Sequence, residues 1–256
     1  MPNSLSQFLE AGALDSARLL PLTHCTTVAS AVMMLDEGEI RPTPCPVYES
    51  DLLYLFYGRP AYKPAENFPA SRLIELMPIC LVIDPEIVER AARILPFDSG
   101  GFSRYSALIG PRLNLAHFEL GLDRLMPSKL IAAFYQSTRN YYDQRPTLAE
   151  ESIGISKLAA RAYARLIADP SIREVDDRCG TIEVQLKRSV SLSNHLCAIV
   201  APAQLFDDPD MIDALARCPK AVPMPYKTYG RSTPAAFSGT IYEKVETLFE
   251  SMGVFS

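Results

Sequence analysis

The stretch from Leu22 to Tyr62, LTHCTTVASAVMMLDEGEIRPTPCPVYESDLLYLFYGRPAY, constrains the fold of this chain more than any other. Leu22 to Cys25 reads as a short strand. Thr26 or Thr27 then supplies a hydroxyl that can accept a bond from a free N–H in the first turn of a helix. Val28, Val32, Met33 and Leu35 give that helix its apolar stripe. Gly38 stands where a left-handed C-terminal residue is wanted. The aromatic and branched run Asp51 to Tyr57 reads as a second strand. His24, one of three histidines in the chain, falls where the first strand meets the helix. A polar ring beside a helix start, followed by the phenols of Tyr54, Tyr57 and Tyr62, suits a small pocket for a flat ligand better than it suits core filling.

The remaining elements set the fold class. Helices are expected over Leu5 to Leu19, Ser128 to Tyr142, Ser156 to Ala168 and Thr240 to Met252, with a short one opening at Asp208-Pro209. Met77 to Ile83 is apolar throughout and reads as a buried strand. Asp84-Pro85-Glu86 is a helix start, with a cap, a first-turn proline and an acid at the positive end of the dipole. Pro96 to Gly101 is a turn, and Asp143 to Ile155 is a polar connection. Gly180 to Leu192 alternates over its first half as a half-buried strand does, and His195 to Ala201 is a further strand. Strands and helices do not alternate strictly, and no internal repeat is present. This predicts an α+β fold, a single domain over 1–256 with a helical insertion around 111–170.

Composition narrows the function classes. The formal charge of −5 argues against an extended phosphate-binding surface. Six scattered cysteines, Cys25, Cys45, Cys80, Cys179, Cys197 and Cys218, include no CxxC pair, so the expectation is reduced thiols and no metal. The first twenty residues lack the basic start and apolar core of a signal peptide. No apolar run approaches the roughly 18 to 20 residues that span a bilayer. A soluble, cytoplasmic chain with no membrane partner is expected.

Three sets of side chains can carry chemistry. His24, Cys25 and Thr26 lead into a helix N-terminus rich in free N–H groups. Tyr54 and Tyr57 are three residues apart and face opposite sides of a regular strand, so they are either core and surface aromatics or, without a bulge, only one of them can line a pocket. Tyr57 abuts the Gly58-Arg59-Pro60 turn and is the preferred ring, with Tyr62 as its partner. In the late strand Thr181, Glu183, Gln185 and Lys187 share one face, which is either a solvated face or the seat of a working carboxylate at Glu183. Arg59 and Arg104 offer bidentate forks for a pyrophosphate. A Cys25 nucleophile is disfavoured, because His24 points to the opposite face of the strand and cannot serve as its base. Phe97-Asp98-Ser99-Gly100-Gly101 lacks the lysine and spacing of a P-loop and reads as a plain turn.

The order of these residues resembles the ADP-ribosyltransferase superfamily, in its diphtheria-toxin and poly(ADP-ribose) polymerase branch. The points of likeness are His24-Cys25-Thr26, the helix ending near Gly38-Glu39-Ile40-Arg41-Pro42, the tyrosine-bearing strand and the late strand with Glu183. They cover Leu22 to Tyr62 and Gly180 to Pro202, about a quarter of the chain. Position 25 departs from the pattern, being Cys where many members have Gly. The resemblance implies a core of two small packed β-sheets with surrounding helices, and NAD as substrate. It assigns His24 to the NAD ribose and Thr26, with the backbone at Cys25, to the nicotinamide amide. Tyr57 and Tyr62 become the stacking rings, Glu183 and His24 the catalytic pair, and Arg59 a cofactor-binding residue. The implied activity is transfer of ADP-ribose to a macromolecular acceptor with release of nicotinamide. NAD hydrolysis on the same site, or nucleotide or partner binding without turnover, are the alternatives. A toxin, a defence effector and a housekeeping regulator all fit.

Overall fold

The computed structural model describes every residue except 1–3, 13, 15–16, 46, 62–68, 170–176 and 256. The strands are β1 (Leu22–Thr27), β2 (Glu39–Ile40), β3 (Thr43–Cys45), β4 (Ser50–Tyr57), β5 (Pro78–Ile83), β6 (Arg93–Leu95), β7 (Glu183–Leu186), β8 (Val190–Ser191), β9 (Leu196–Pro202) and β10 (Val222–Tyr226). The helices are α1 (Leu5–Glu10), α2 (Val28–Glu37), α3 (Phe102–Ile109), α4 (Met126–Tyr135), α5 (Thr138–Tyr142), α6 (Leu158–Ala168), α7 (Leu192–His195), α8 (Pro209–Ala216) and α9 (Ser238–Ser251). The larger sheet runs in the order β10-β9-β5-β1-β4-β7-β6, with β3 added beside β4, and β2 pairs β8 in a small second sheet. Only the β9–β10 pair is parallel among these ladders, joined through α8; the others are antiparallel. The fold is α+β.

The opening unit forms as its residues dictate. Thr27 caps α2 by accepting from the Ser30 N–H at 3.3 Å, and Gly38 closes it at φ 74° with its N–H on the Met34 carbonyl. Val28, Ala31 and Leu35 are buried, and α2 packs on β1, β5 and α8. At the end of β4 the chain turns at Gly58, φ 70°, where a Cβ would come within 2.5 Å of Leu20 Cδ1. That close approach and the positive φ both require glycine.

Three helical expectations change. The first helix stops at Glu10, where Ala11-Gly12 follow, instead of continuing to Leu19. The Ser128–Tyr142 segment splits into α4 and α5, because Gln136 takes φ 64° and Ser137 starts a new helix by accepting from the Asn140 N–H at 3.1 Å. The Asp84 start opens a 3-10 helix, Pro85–Arg90, and not an α-helix. No described helix is long and apolar enough to cross a membrane.

The larger sheet has a seam that positions everything below. β1 pairs with β5 along its full length, Leu22–Ile83 to Thr27–Pro78. On its other edge β1 pairs with β4 only at Leu22–Tyr57 and Thr23–Phe56. Beyond Thr23 the two strands part. One half-sheet, β10-β9-β5-β1, therefore separates from the other, β4-β7-β6, at His24.

A candidate site where the sheet divides

His24 sits at the fork. Its Nδ1 lies 3.0 Å from the Tyr54 carbonyl, across the gap that the missing β1–β4 ladder leaves. A carbonyl only accepts, so Nδ1 carries the proton and the neutral ring keeps Nε2 as a bare acceptor. Desolvation holds the imidazole below its ordinary range, against the Tyr54 bond that favours the charged form. The ring is thus a neutral acceptor near pH 7, suited to receiving a hydroxyl. His24, Cys25, Thr26 and Tyr54 are each partly exposed, whereas Thr23 beside them is sealed, its hydroxyl donating to the Arg59 carbonyl at 2.8 Å.

On β4's far edge lies a buried polar chain. Phe56 pairs with Glu183, and Tyr54 with Gln185. Thr181, Glu183 and Gln185 are all fully buried, so the polar face of this strand is out of solvent up to Gln185, and only Lys187 beyond it is exposed. Ser99 donates to Glu183 twice, from Oγ at 2.8 Å and from its N–H at 3.2 Å. Gln185 Nε2 donates to the same carboxylate at 2.6 Å. Arg93 fixes the orientation of that amide by donating to its Oε1 at 2.8 Å. The Arg93 guanidinium also reaches Glu119 at 2.9 Å and stacks 3.8 Å above the Tyr48 ring. Burial is the main reason the Glu183 carboxyl is pushed up to about 8, with the negative charge of Asp98 adding to it. The bonds from Gln185 and Ser99 oppose that shift without cancelling it. Asp98 is itself held by Arg178 at 3.1 Å and caps the turn by accepting from the Gly100 N–H.

Alternation sorts the side chains into two sides. Thr23, Phe56 and Glu183 form one row, so Cys25, Tyr54 and Gln185 lie on the same side as Glu183. Tyr54 is within electrostatic reach of Glu183, whose charge contributes to raising its phenol, after burial and the bond to Cys45. The Tyr54 hydroxyl donates to Cys45 Sγ at 2.6 Å. Strict alternation would send His24 to the other side. Where the ladder breaks, its ring closes on the Tyr54 carbonyl and occupies the seam instead.

The sequence-derived residues divide accordingly. His24, Cys25 and Thr26 stand together at the fork, and Glu183 lies on the neighbouring half-sheet, one strand beyond β4. Tyr57, the ring preferred from sequence, is fully buried. Its hydroxyl accepts from the Leu20 N–H at 3.0 Å, and its carbonyl accepts from Tyr141 Oη at 2.7 Å. Tyr54 is instead the partly exposed ring of this strand, its carbonyl on His24 and its hydroxyl on Cys45. Tyr62 lies outside the described residues. Arg59 is 3 % exposed and turns toward α9, where it donates to Tyr242 Oη at 3.1 Å and lies over that ring. Arg104 is half-exposed and 3.9 Å from Asp98. Sequence reasoning passed over Ser99, Arg93 and Tyr48. The Asp98-Ser99-Gly100-Gly101 turn gave the only local signal, and nothing in it points to a strand more than eighty residues downstream. Among the described residues no group of three or more His, Cys, Asp or Glu gathers as a metal site requires. Comparison of the sequence and the fold with family models, curated proteins and solved structures finds no match.

Proposed function

We propose that this chain is an NAD-consuming enzyme of the ADP-ribosyltransferase kind, with its site at the fork between the half-sheets. The observation that carries the reading is the pairing of a neutral imidazole acceptor in the seam with an enclosed carboxylate on the adjoining half-sheet. In this reading His24 Nε2 accepts from a ribose hydroxyl. The backbone around Cys25 and the hydroxyl of Thr26 meet the nicotinamide amide, and the Tyr54 ring lies against the flat base. The bond from the ribose anomeric carbon to the nicotinamide nitrogen breaks, its electron pair leaving with nicotinamide. Positive charge develops on the ribose, and ionised Glu183 stabilises it. A macromolecular nucleophile or water then takes the ADP-ribose. NAD here is substrate, and the steps described use only the chain's own groups.

Enclosure of Glu183 sets a condition on this scheme. The carboxylate is sealed by Ser99 and Gln185, so catalysis requires the 97–101 turn to yield when ligand enters. The same enclosure favours a second reading, a nucleotide- or partner-binding module in which Glu183 only holds the turn. Incubating the pure protein with NAD and measuring free nicotinamide separates them. Release without addition supports hydrolysis, release only with a cell lysate supports transfer, and calorimetric binding without release supports the module. Absence of both binding and release overturns the NAD reading.

A further inference from the structure

Cys25 and Cys80 stand directly opposite one another on the antiparallel strands β1 and β5. The kind of pair they form follows from the ladder. Pro78 has no N–H to donate, so its pairing with Thr27 is a non-hydrogen-bonded one. The next pair along the same register, Val28 with Met77, carries the bond, with Val28 N–H on the Met77 carbonyl at 2.8 Å. Bonded and non-bonded pairs alternate, and Cys25–Cys80 lies two pairs from Thr27–Pro78. It is therefore also non-bonded, the type that brings facing side chains closest, with Cα atoms about 4.5 Å apart. Disulfides span Cα separations of about 4.4–6.8 Å.

We propose that Cys25 and Cys80 are a redox-closing dithiol, joined into a cross-strand disulfide by a peroxide. Both are free thiols here. Cys25 is partly exposed and Cys80 fully buried, so the peroxide meets Cys25 first. The Cys80 thiol is pushed well up, by its contact with Cys25 and then by burial, so it is the second sulfur to react and gives its proton to the departing water as it attacks. The Cys25 sulfur attacks one peroxide oxygen, the O–O bond breaks, and water leaves as Cys25 becomes a sulfenic acid. The Cys80 sulfur then attacks that sulfur and expels a second water. Two thiols and one hydrogen peroxide give one disulfide and two waters.

The consequence for the fork rests on the NAD reading, although the bond itself does not. β1 lies between β5 and β4, so drawing the Cys25 sulfur toward Cys80 draws it away from the gap that faces Tyr54. Oxidation then widens the slot beside His24, and NAD binds severalfold more tightly.

The test is peroxide treatment of the full chain, alkylation of remaining thiols, and mass spectrometry of the digest. A peptide pair linked through Cys25 and Cys80, lost on reduction and absent from Cys25→Ser, is expected. Separate alkylation of both cysteines after peroxide exposure overturns the proposal, as does linkage of Cys25 to any other cysteine. Calorimetry with NAD on reduced and oxidised chain then reads the coupling. Tighter binding after oxidation supports it, and equal or weaker binding ends it. If the reduced chain binds no NAD at all while the Cys25–Cys80 link forms, the functional reading and its coupling fall and the dithiol stands.

Discussion

β5 and β7 are both fully buried strands, and they are buried for opposite reasons. All six residues of β5, Pro78-Ile79-Cys80-Leu81-Val82-Ile83, are sealed between β1 and β9, and none carries a charge. Removing such surface from water is favourable by about 25 cal/mol per Å², so the strand explains its own position. All four residues of β7, Glu183-Val184-Gln185-Leu186, are equally sealed. Val184 and Leu186 face core as β5 does, but Glu183 and Gln185 carry a carboxyl and an amide out of water. Three donors reach that carboxyl, yet its affinity for protons stays raised. A carboxylate kept under such strain lowers stability at neutral pH, and such groups concentrate where chemistry is done. The comparison separates a strand that apolar burial alone puts in place from one that carries a hydrogen-bonded polar chain into the interior.

The sharpest break of that comparison is Glu183→Gln. The amide imitates the neutral acid in shape, so the fold should persist, while under the NAD reading nicotinamide release should fall by roughly 10²- to 10³-fold through loss of the developing ion pair. Unchanged release removes Glu183 from the mechanism. The pH response follows from the same group. Between the ordinary carboxyl range and about 8 the native chain holds a proton that the unfolded chain has lost. Stability contributed by Glu183 is therefore complete at acid pH and declines as pH rises through that window. In urea titrations at several pH values, wild type should lose stability relative to Glu183→Gln as the pH rises from 5 to 8 (~3 units), by on the order of a few kcal/mol. For an active enzyme that needs the ionised carboxyl, kcat/KM should climb over the same range.

On the other strand, Leu81→Ala should cost about 2–5 kcal/mol of stability, since Leu81 is fully enclosed and its removal leaves a cavity. Nicotinamide release per folded molecule should stay unchanged. A fall in release as large as that of Glu183→Gln would erase the distinction between the strands.

How far the sequence could be read follows the same division. Periodicity and composition disclosed β4, β5, β9, α2, α6 and α9 nearly to their ends, because each is governed by local pattern and apolar burial. The α2 cap at Gly38 was equally open to view, and the N-cap was narrowed to Thr26 or Thr27, of which Thr27 serves. Glu183 and His24 were legible as candidates, but the choice of Tyr54 over Tyr57 was not. A strand pattern gives two faces without saying which faces the seam, and here the Tyr57 side is closed by Leu20, Ser128 and Tyr141. The Arg93–Gln185–Glu183–Ser99 chain was invisible, since it joins residues that only the β6–β7 ladder and the 97–101 turn bring together. Arg93→Met tests that chain directly. It leaves the Gln185 carbonyl oxygen without its donor, at a cost of about 1–3 kcal/mol. It also frees the amide to turn away from Glu183, so the pH window of stability should move with it in the same urea series. A loss of stability with no movement of that window would mean that Arg93 acts only through Glu119 and Tyr48.

The smallest effect is expected at the seam, from His24→Ala. The side chain is partly exposed and makes one bond, to the Tyr54 carbonyl, so the fold should lose only about 0.5–1.5 kcal/mol. Part of that loss should disappear in acid. The folded imidazole sits below its ordinary range, so the unfolded chain binds the proton first as the pH falls. Wild type therefore loses stability on acidification below about 6.5, and the alanine variant escapes this contribution. Under the NAD reading the variant should also bind NAD more weakly, through the lost ribose bond, by a factor of about 3–10. His24→Asn can keep an acceptor near the seam and should recover part of the affinity without recovering the acid slope. If instead His24→Ala lowers stability by several kcal/mol and leaves NAD affinity intact, His24 is a strut that replaces the missing β1–β4 ladder. The fork would then be a packing feature of the sheet, and the contrast between the half-sheets would lose its functional side.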